Sequence, residues 1–290
     1  MTKGQKLRDT LSEPGILVLP GVHDCVSVKL AQKIGFEVVF TSGFGISATM
    51  LGKPDLGFLT ATEMLWSVSR IVKSVDIPVV VDIDTGYGNP LNVISTVEEV
   101  VSIGAGGIIL EDQEWPKKCG HFEGKRVITM GEHVEKIHAA VEARGDSGLV
   151  IIGRTDSRES HGIGEAIKRG RAYFEAGADI VFIEAPESVE ELKEIARAFS
   201  EDVPLFANMV EGGKTPFMTT EELEHLGYKI VVYPLAGLFS ATKAIESCFN
   251  YLKDNRTSRG FEEMHTFKDF EEVINTAKYR DMESKFKSSS

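Results

Sequence analysis

Eight short runs rich in valine and isoleucine, separated by segments of helical period, constrain the fold of this chain more than any other feature. The runs show no alternation of apolar and polar residues, which is typical of strands buried on both faces of a parallel sheet. They predict strands at residues 16–22, 37–42, 78–84, 106–112, 149–156, 179–185, 204–209 and 230–235. Eight strands, each followed by a helix, predict an α/β fold: a closed (β/α)8 barrel of the TIM type, with an open doubly wound sheet as the alternative.

Helix-start patterns support this alternation. In a capping box, a hydroxyl and a carboxylate three residues apart each accept a hydrogen bond from the other residue's backbone N–H. Such patterns occur in Thr60 with Glu63, Ser188 with Glu191, and Thr219 with Glu222. We therefore expect helices to begin at these positions.

The 290 residues fit one barrel domain spanning residues 1–290. Residues 239–252 are expected to form the eighth helix, and residues 261–286 to form further helix. A minimal barrel has no such tail. We interpret residues 239–290 as a C-terminal helical extension that packs on the barrel or on a neighbouring subunit.

Composition excludes several classes of protein. A formal net charge of −12 argues against a nucleic-acid partner, which needs clustered Lys and Arg. The three cysteines, Cys25, Cys119 and Cys248, are too few and too scattered for a disulfide framework, so we expect a reducing, cytoplasmic setting. No apolar run approaches the roughly 18–20 residues that span a bilayer, so no membrane partner is expected.

Polar residues gather at the carboxyl ends of six predicted strands, the face where barrels build active sites. They are Ser42, Asp82, Asp84, Glu111, Asp112, Gln113, Arg154, Thr155, Asp156, Glu184 and Asn208. Any one of them could simply cap the next helix. Six strand ends together indicate a functional site.

Asp82 and Asp84 stand two apart on one predicted strand, so their side chains are expected on the same face. Neighbouring carboxylates repel each other unless a cation separates them. With no protein cation expected beside them, a hard oxygen site for Mg²⁺ or Mn²⁺ is predicted, with Glu111 contributing through water. Alternatively, Asp84 caps the next helix and Asp82 forms a salt bridge.

Residues 113–124 interrupt the fourth βα unit with a polar, glycine-bounded segment beside the predicted metal strand. This is typical of a loop that closes over a site, and we call it the lid. Lys117 and Lys118 are expected to lower the pKa of Cys119, which would make it a usable acid or nucleophile. The alternative is an exposed loop with an incidental thiol.

The string Lys117-Lys118-Cys119-Gly120-His121 resembles the signature of the isocitrate lyase and phosphoenolpyruvate mutase superfamily. The resemblance covers residues 7–286. Other matching motifs are Thr41-Ser42-Gly43, Leu51-Gly52-Lys53-Pro54-Asp55, Asp82-Ile83-Asp84-Thr85-Gly86, Arg154-Thr155-Asp156 and residues 208–216. Within the superfamily, the chain looks similar to the branch that cleaves 2-alkylmalates or hydrolyses oxaloacetate.

This resemblance implies a magnesium-dependent carbon–carbon lyase (an oxo-acid-lyase) and assigns roles to residues. Cys119 would be the general acid, Lys117 would stabilise negative charge, and Glu111 or Tyr87 would be the base. Substrate would be bound by Ser42, Gly43, Phe44, Gly120, His121, Arg154, Glu184, Asn208 and Phe239. The metal would be bound by Asp82, Asp84 and Asp55.

The implied substrate is a 2-hydroxy or 2-oxo dicarboxylate, with a 2-alkylmalate such as 2,3-dimethylmalate yielding pyruvate and a carboxylate. Methylisocitrate lyases carry Arg where this chain has Phe239 and Phe267, so the site is expected to lack a partner for a third carboxylate. The resemblance also implies a homotetramer, a dimer of dimers whose eighth helices are exchanged between subunits.

Four alternatives remain open at this point. The chain could hydrolyse oxaloacetate, cleave methylisocitrate, or rearrange P–C bonds as phosphoenolpyruvate and carboxyphosphonoenolpyruvate mutases do. The mutase alternative is weakened by Cys119, because phosphoenolpyruvate mutases resemble this chain but have Asn there. A catalytically silent scaffold would not be expected to keep Asp82, Asp84, Lys117 and Cys119.

Overall fold

The computed structural model describes residues 1–199 and 203–286. Eight parallel strands form a closed barrel in sequence order, so the predicted TIM-type fold is confirmed and the open-sheet alternative is wrong. The strands are β1 (Leu17–Val22), β2 (Val39–Thr41), β3 (Val79–Asp82), β4 (Gly107–Glu111), β5 (Val150–Thr155), β6 (Ile180–Ile183), β7 (Leu205–Asn208) and β8 (Ile230–Tyr233). Pairing of β1 with β8, with Leu17 opposite Ile230, closes the barrel.

Helices surround the barrel in the expected alternation. They are α1 (Lys3–Ser12), α2 (Cys25–Ile34), α3 (Gly43–Ile46), α4 (Ala61–Lys73), α5 (Pro90–Ile103), α6 (Met130–Arg144), α7 (Arg158–His161), α8 (Ile163–Glu175), α9 (Val189–Ala198), α10 (Thr220–Leu226), α11 (Ala236–Asn255), α12 (Phe267–Val273) and α13 (Thr276–Ser284). A π-helical turn at Ser47–Leu51 continues α3, and a 3-10 turn at Gly145–Ser147 follows α6. None of the helices within the described residues is long and apolar enough to cross a membrane.

Two of the three predicted capping boxes are present, at Thr60 and at Thr219. For the third pair, Ser188 and Glu191, one of the two predicted hydrogen bonds forms and the prediction of the other was wrong. Ser188 accepts from the backbone N–H of Glu191, but the Glu191 carboxylate accepts from the N–H of Glu187 and pairs with Arg158. A nearby guanidinium is a stronger partner for that carboxylate than a single backbone N–H.

The barrel interior is filled by apolar side chains from every second strand position, so it is a packed core and not a channel. Leu19, Phe40, Val80, Ile109 and Ile152 belong to this cluster. The sequence patterns did not predict α1, whose Leu7 is completely buried in the same cluster at the amino ends of the strands. Burying one leucine contributes about 2 kcal/mol. α1 therefore covers the amino end of the barrel interior.

The C-terminal extension packs little on its own barrel. Of the twenty residues of α11, only Leu238 is buried. The single helix predicted for residues 261–286 was wrong, because Asn275 adopts a left-handed conformation (φ 57°) that separates α12 from α13. Residues 287–290 of the predicted extension lie outside the described residues. Large exposed side chains here include Phe239, Ile245, Phe249, Phe267, Phe270 and Phe286.

Candidate active site

A cavity lies at the carboxyl ends of the strands, where the sequence placed the site. Most predicted site residues line it: Ser42, Phe44, Asp55, Asp82, Lys117, Cys119, Gly120, His121, Arg154, Glu184 and Asn208. Three others contact this lining: Gly43 through Asp82, Asp84 through Lys117, and Glu111 through Arg154. Phe239 does not line the cavity in the single chain and is 42% exposed.

Lys117 stands among acidic side chains from different parts of the sequence. Its Nζ atom is 2.8 Å from Asp55 Oδ1 and 2.6 Å from Asp84 Oδ1. A Cβ atom at Gly43 would lie 3.0 Å from Asp82 Oδ2 and 3.4 Å from Asp84 Oδ1. It would also lie 3.4 Å from Lys117 Nζ. A side chain at position 43 would therefore fill the space on which these groups converge.

We call Asp55, Asp82 and Asp84 the acidic cluster, and their charges and that of Lys117 influence one another strongly. Burial raises the pKa of Asp84 to about 7, with Lys117 opposing and Asp82 and Asp55 adding to the rise. Burial alone would lower the pKa of Lys117, but Asp84 and the other carboxylates outweigh it and hold that pKa well above its ordinary value. The expectation that Asp82 and Asp84 lack a protein cation was wrong, because the lid brings Lys117 to them.

Local backbone geometry presents these carboxylates. β3 ends at Asp82, two residues earlier than predicted, because Asp84 has a left-handed backbone (φ 49°). Asp82 Oδ1 accepts the backbone N–H of Asp84 at 3.0 Å, and the Tyr87 hydroxyl donates to Asp84 Oδ2 at 3.3 Å. The Ser47 hydroxyl donates to the carbonyl of Pro54, which shapes the segment that carries Asp55.

Arg154 organises a second group of carboxylates, which come from β4 and from the ends of β5 and β6. It binds Asp156 through two hydrogen bonds of 2.8 and 3.0 Å and lies 3.4 Å from Glu184 and 3.3 Å from Glu111. Burial would raise the pKa of Glu184, but Arg154 and His121 outweigh it and lower that pKa. Glu111 differs, because burial outweighs Arg154 and raises its pKa well above the ordinary value.

His121 and Gly120 fit closely against this group. The backbone N–H of Lys214 donates to His121 Nδ1 at 2.9 Å, so a neutral ring carries its proton on Nε2, 3.3 Å from Glu184. A Cβ atom at Gly120 would approach the Glu184 side chain to 2.5 Å and Arg154 to 2.6 Å. Only glycine fits at that position without displacing them.

Cys119 faces the cavity from the lid, and its backbone N–H donates to the carbonyl of Asp55 at 3.0 Å. The expectation that two lysines lower its pKa was wrong. Burial raises the pKa of Cys119 to about 11, and Lys117 only partly offsets this because it is paired with carboxylates. Lys118 points away, toward the carbonyls of Glu123 and Gly124. At neutral pH the group is a thiol that can donate a proton.

Comparison with known proteins agrees with this geometry. Residues 7–253 match the family model described as phosphoenolpyruvate phosphomutase. The chain belongs to the phosphoenolpyruvate mutase/isocitrate lyase superfamily. It is 44% identical to 2,3-dimethylmalate lyase of Eubacterium barkeri, with 99% of each chain covered. It is 45% identical to the petal death protein of Dianthus caryophyllus, covering 96% of this chain and 87% of that one.

Several solved structures share the fold of this chain at lower sequence identity. A crystal structure of 2,3-dimethylmalate lyase superposes with a TM-score of 0.94 at 33% identity, covering 100% of this chain and 97% of the other. Oxaloacetate acetylhydrolase with the inhibitor 3,3-difluorooxalacetate gives 0.93 at 33% identity, covering 98% and 96%. Phosphonopyruvate hydrolase in complex with oxalate and Mg²⁺ gives 0.88 at 29% identity, covering 99% of each.

The acidic cluster offers the oxygen donors that suit a superfamily metal site. Asp82 Oδ2 and Asp84 Oδ1 face the common space beside Gly43. Glu111 Oε1 is buried without a hydrogen-bond partner in the described part of the chain. Mg²⁺ often binds one or two carboxylates and completes its shell with water and substrate oxygens. Within residues 1–199 and 203–286, no group of three His, Cys, Asp or Glu side chains is placed to hold a metal ion by itself. A Mg²⁺ site that binds one or two carboxylates does not need such a group.

Asp112 was predicted to be a strand-end site residue, but it points away from the cavity. Its Oδ2 accepts from Thr155 and Tyr173 at 2.7 Å and from Arg169 at 2.9 Å, and its Oδ1 accepts the N–H of Asp156. This buried network supports the end of β5 from behind. Sequence reasoning missed it because Arg169 and Tyr173 lie mid-helix with no distinguishing pattern.

Proposed function

We propose that this protein is a Mg²⁺-dependent carbon–carbon lyase that cleaves a 2-alkylmalate, such as 2,3-dimethylmalate, to pyruvate and a carboxylate. The observation that carries the proposal is that the Cys119 thiol lines the same cavity as the acidic cluster and Arg154. Burial raises the pKa of this thiol to about 11, which suits a proton donor. We expect that Mn²⁺ can substitute for Mg²⁺ in supporting activity. The similarity to the relatives named 2,3-dimethylmalate lyase and petal death protein supports this branch of the superfamily.

The apolar part of the cavity favours a substrate with an alkyl substituent. Val210 and Leu235 pack with Phe44 in one apolar cluster, and all three line the cavity. A third carboxylate placed there would be buried without a partner, at a cost of several kcal/mol. The apolar wall therefore supports an alkylated dicarboxylate over a tricarboxylate.

In the proposed reaction, the C2 hydroxyl loses its proton, a C2=O bond forms, and C2–C3 breaks with its electron pair left on C3. Mg²⁺ held by Asp84 and Asp82 would supply charge stabilisation at the C2 oxygen. Glu111 is the better candidate to take the hydroxyl proton, since it is a buried carboxyl with a raised pKa and a free oxygen. Tyr87 is the poorer one, because burial and Asp84 raise its pKa well above 10.

Other cavity residues bind the substrate carboxylates and protonate C3. We assign the carboxylate next to C2 to the segment from Ser42 to Phe44, and the second carboxylate to Arg154 and Asn208. The Asn208 amide nitrogen lies 3.3 Å from both Glu184 carboxylate oxygens and carries two N–H groups, so one of them can donate to the substrate carboxylate. Cys119 delivers its proton to C3, because a carboxylate-stabilised carbanion is too basic to leave unprotonated.

Phe239 and Phe267 remain predicted specificity residues. In the single chain, Phe267 is 84% exposed. Phe239 lies one helical turn after Leu235, whose carbonyl accepts its backbone N–H. We propose that both residues approach a cavity within a homotetramer, a dimer of dimers whose eighth helices are exchanged between subunits. Each subunit would be one domain spanning residues 1–290, and the protein would work in the cytoplasm. Replacing both with Arg should weaken dimethylmalate turnover and admit methylisocitrate.

The test is a panel of malate derivatives with coupled detection of pyruvate, run beside an oxalate assay on oxaloacetate. We expect pyruvate from 2-alkylmalates, loss of activity in excess EDTA, and recovery with Mg²⁺ or Mn²⁺. Oxalate without pyruvate would identify an oxaloacetate hydrolase instead. Preference for methylisocitrate over every dicarboxylate, or full turnover in EDTA, would contradict the proposal.

A further inference from the structure

Glu159 does not line the cavity, yet its carboxylate joins the lid to two neighbouring loops. Its Oε1 atom accepts a 2.7 Å hydrogen bond from the backbone N–H of Gly124, at the end of the lid. Its Oε2 atom is 3.5 Å from the ammonium groups of Lys125 and Lys214. Glu159 lies on α7, which follows β5, and Lys214 lies in the loop after β7. One carboxylate therefore ties together three loops of the barrel.

The two lysines also hold lid groups beside the cavity. The Lys125 ammonium donates to the carbonyl of Gly120. The backbone N–H of Lys214 donates to His121 Nδ1 at 2.9 Å. Gly120 and His121 directly follow Cys119 in the sequence. Contacts made by this carboxylate thus reach the segment that carries the acid.

We propose that Glu159 is a positioning residue that holds the lid closed and thereby places Cys119 over the cavity. A carboxylate that binds ammonium groups and a backbone N–H makes charge-assisted hydrogen bonds, which are stronger than neutral ones. The base of the lid is held separately by the backbone pair of Glu114 and Arg126. Losing the Glu159 carboxylate should therefore release the outer part of the lid and leave its base in place. The catalytic consequence rests on the proposed lyase function, whereas lid closure does not.

Cys119 reports the position of the lid. Cys119 lines the cavity beneath the lid, so the closed lid limits the access of iodoacetamide to its sulfur. Opening the lid exposes the thiol and speeds its alkylation. Cys25 and Cys248 lie outside the lid and serve as references within the same protein.

The experiment compares Glu159→Ala with a matched variant, Glu114→Ala, which removes the exposed lid-base ion pair with Arg126. Alkylation at each cysteine is followed by mass spectrometry without substrate. We expect Glu159→Ala to raise the rate at Cys119 about tenfold, the typical effect of losing a hydrogen bond to a charged group. Glu114→Ala should react like the wild type. In Glu159→Ala, kcat/KM for 2,3-dimethylmalate should fall by a similar factor.

An unchanged rate at Cys119, an equal rise in Glu114→Ala, or a rise at all three cysteines would overturn the proposal. Glu159→Gln keeps an acceptor for Gly124 but removes the charge, so it serves if the alanine variant does not fold. That variant should raise the Cys119 rate about threefold, the size expected for weak ion pairs, and an unchanged rate counts against the proposal. If alkylation rises as expected but no dicarboxylate yields pyruvate, the lid role stands and the proposed substrate fails.

Discussion

Cys119 differs from the other two cysteines in where it lies and in what its thiol can do. It lines the cavity, and burial raises its pKa to about 11, so it is protonated throughout the neutral range. Cys25 and Cys248 lie on α2 and α11 and do not line this cavity. A thiol that stays protonated suits a general acid better than a nucleophile.

We therefore predict that Cys119→Ser loses between about 10² and 10⁴ in kcat while keeping its fold. A hydroxyl is a far weaker acid than a thiol, although serine is nearly the same size. Steady-state release of pyruvate, with circular dichroism as the folding control, measures the effect. Cys248→Ser should match the wild type. If Cys119→Ser kept most of its activity, the thiol would serve only for packing.

At the scale of elements, Asp112 joins β4 to β5 and α8. It accepts hydrogen bonds from Thr155, Tyr173 and Arg169, and is fully buried. We predict that Asp112→Asn lowers the free energy of unfolding by about 3 kcal/mol, because Arg169 is left without its buried anion. Urea denaturation measures the change. Asp146→Asn, at an exposed position, should change it by less than about 0.5 kcal/mol; equal effects would contradict the role of the network.

His133 on α6 packs against Tyr173 on α8, with ring centroids 4.4 Å apart. Burial lowers the pKa of His133 to about 3, with Lys136 and Arg169 adding to the fall and the Leu110 backbone partly opposing it. The unfolded chain therefore binds more protons between pH 6.5 and pH 3. The stabilisation is complete above pH 6.5 and is lost as the pH falls toward 3.

We accordingly predict that His133→Leu loses part of the pH dependence of unfolding below pH 6.5. One histidine with this shift accounts for about 3 kcal/mol of lost stability between pH 6.5 and pH 4. Urea denaturation at both pH values measures it. His138→Leu, at an exposed position on the same helix, is the control. Parallel pH profiles for His133→Leu and the wild type would show that another group causes the acid sensitivity.

At the scale of the whole molecule, the C-terminal helices leave a large apolar surface uncovered. α11 buries one of its twenty residues, and Phe249 on it is 64% exposed. Several large exposed apolar side chains on one helix are typical of a protein–protein interface. The superfamily resemblance implies that a neighbouring subunit covers it.

We predict a homotetramer by light scattering at micromolar concentration. Phe249→Glu should shift the protein to smaller species, because a charge would be buried in the interface. Leu91→Glu, at another exposed apolar position on α5, should leave the assembly unchanged. A monodisperse wild-type monomer would rule out the exchanged-helix assembly.

The sequence alone determined the barrel and most of the site. Strand runs and helix boundaries are set by neighbouring residues, so Val- and Ile-rich runs predicted all eight strands and residues such as Thr60 predicted helix starts. Because the carboxyl ends of barrel strands meet at one face, Asp82, Arg154, Glu184 and Asn208 could be placed together before their contacts were seen.

Only the tertiary structure decided the charges and the supporting contacts. Lys117 pairs with Asp55 across 62 positions of sequence, and Gly124 binds Glu159 across 35. The pKa of Cys119 rises where adjacent lysines suggested a fall, because burial dominates and Lys117 is already paired. Desolvation and long-range pairing depend on what packs around a group in space, and local sequence patterns carry no information about that.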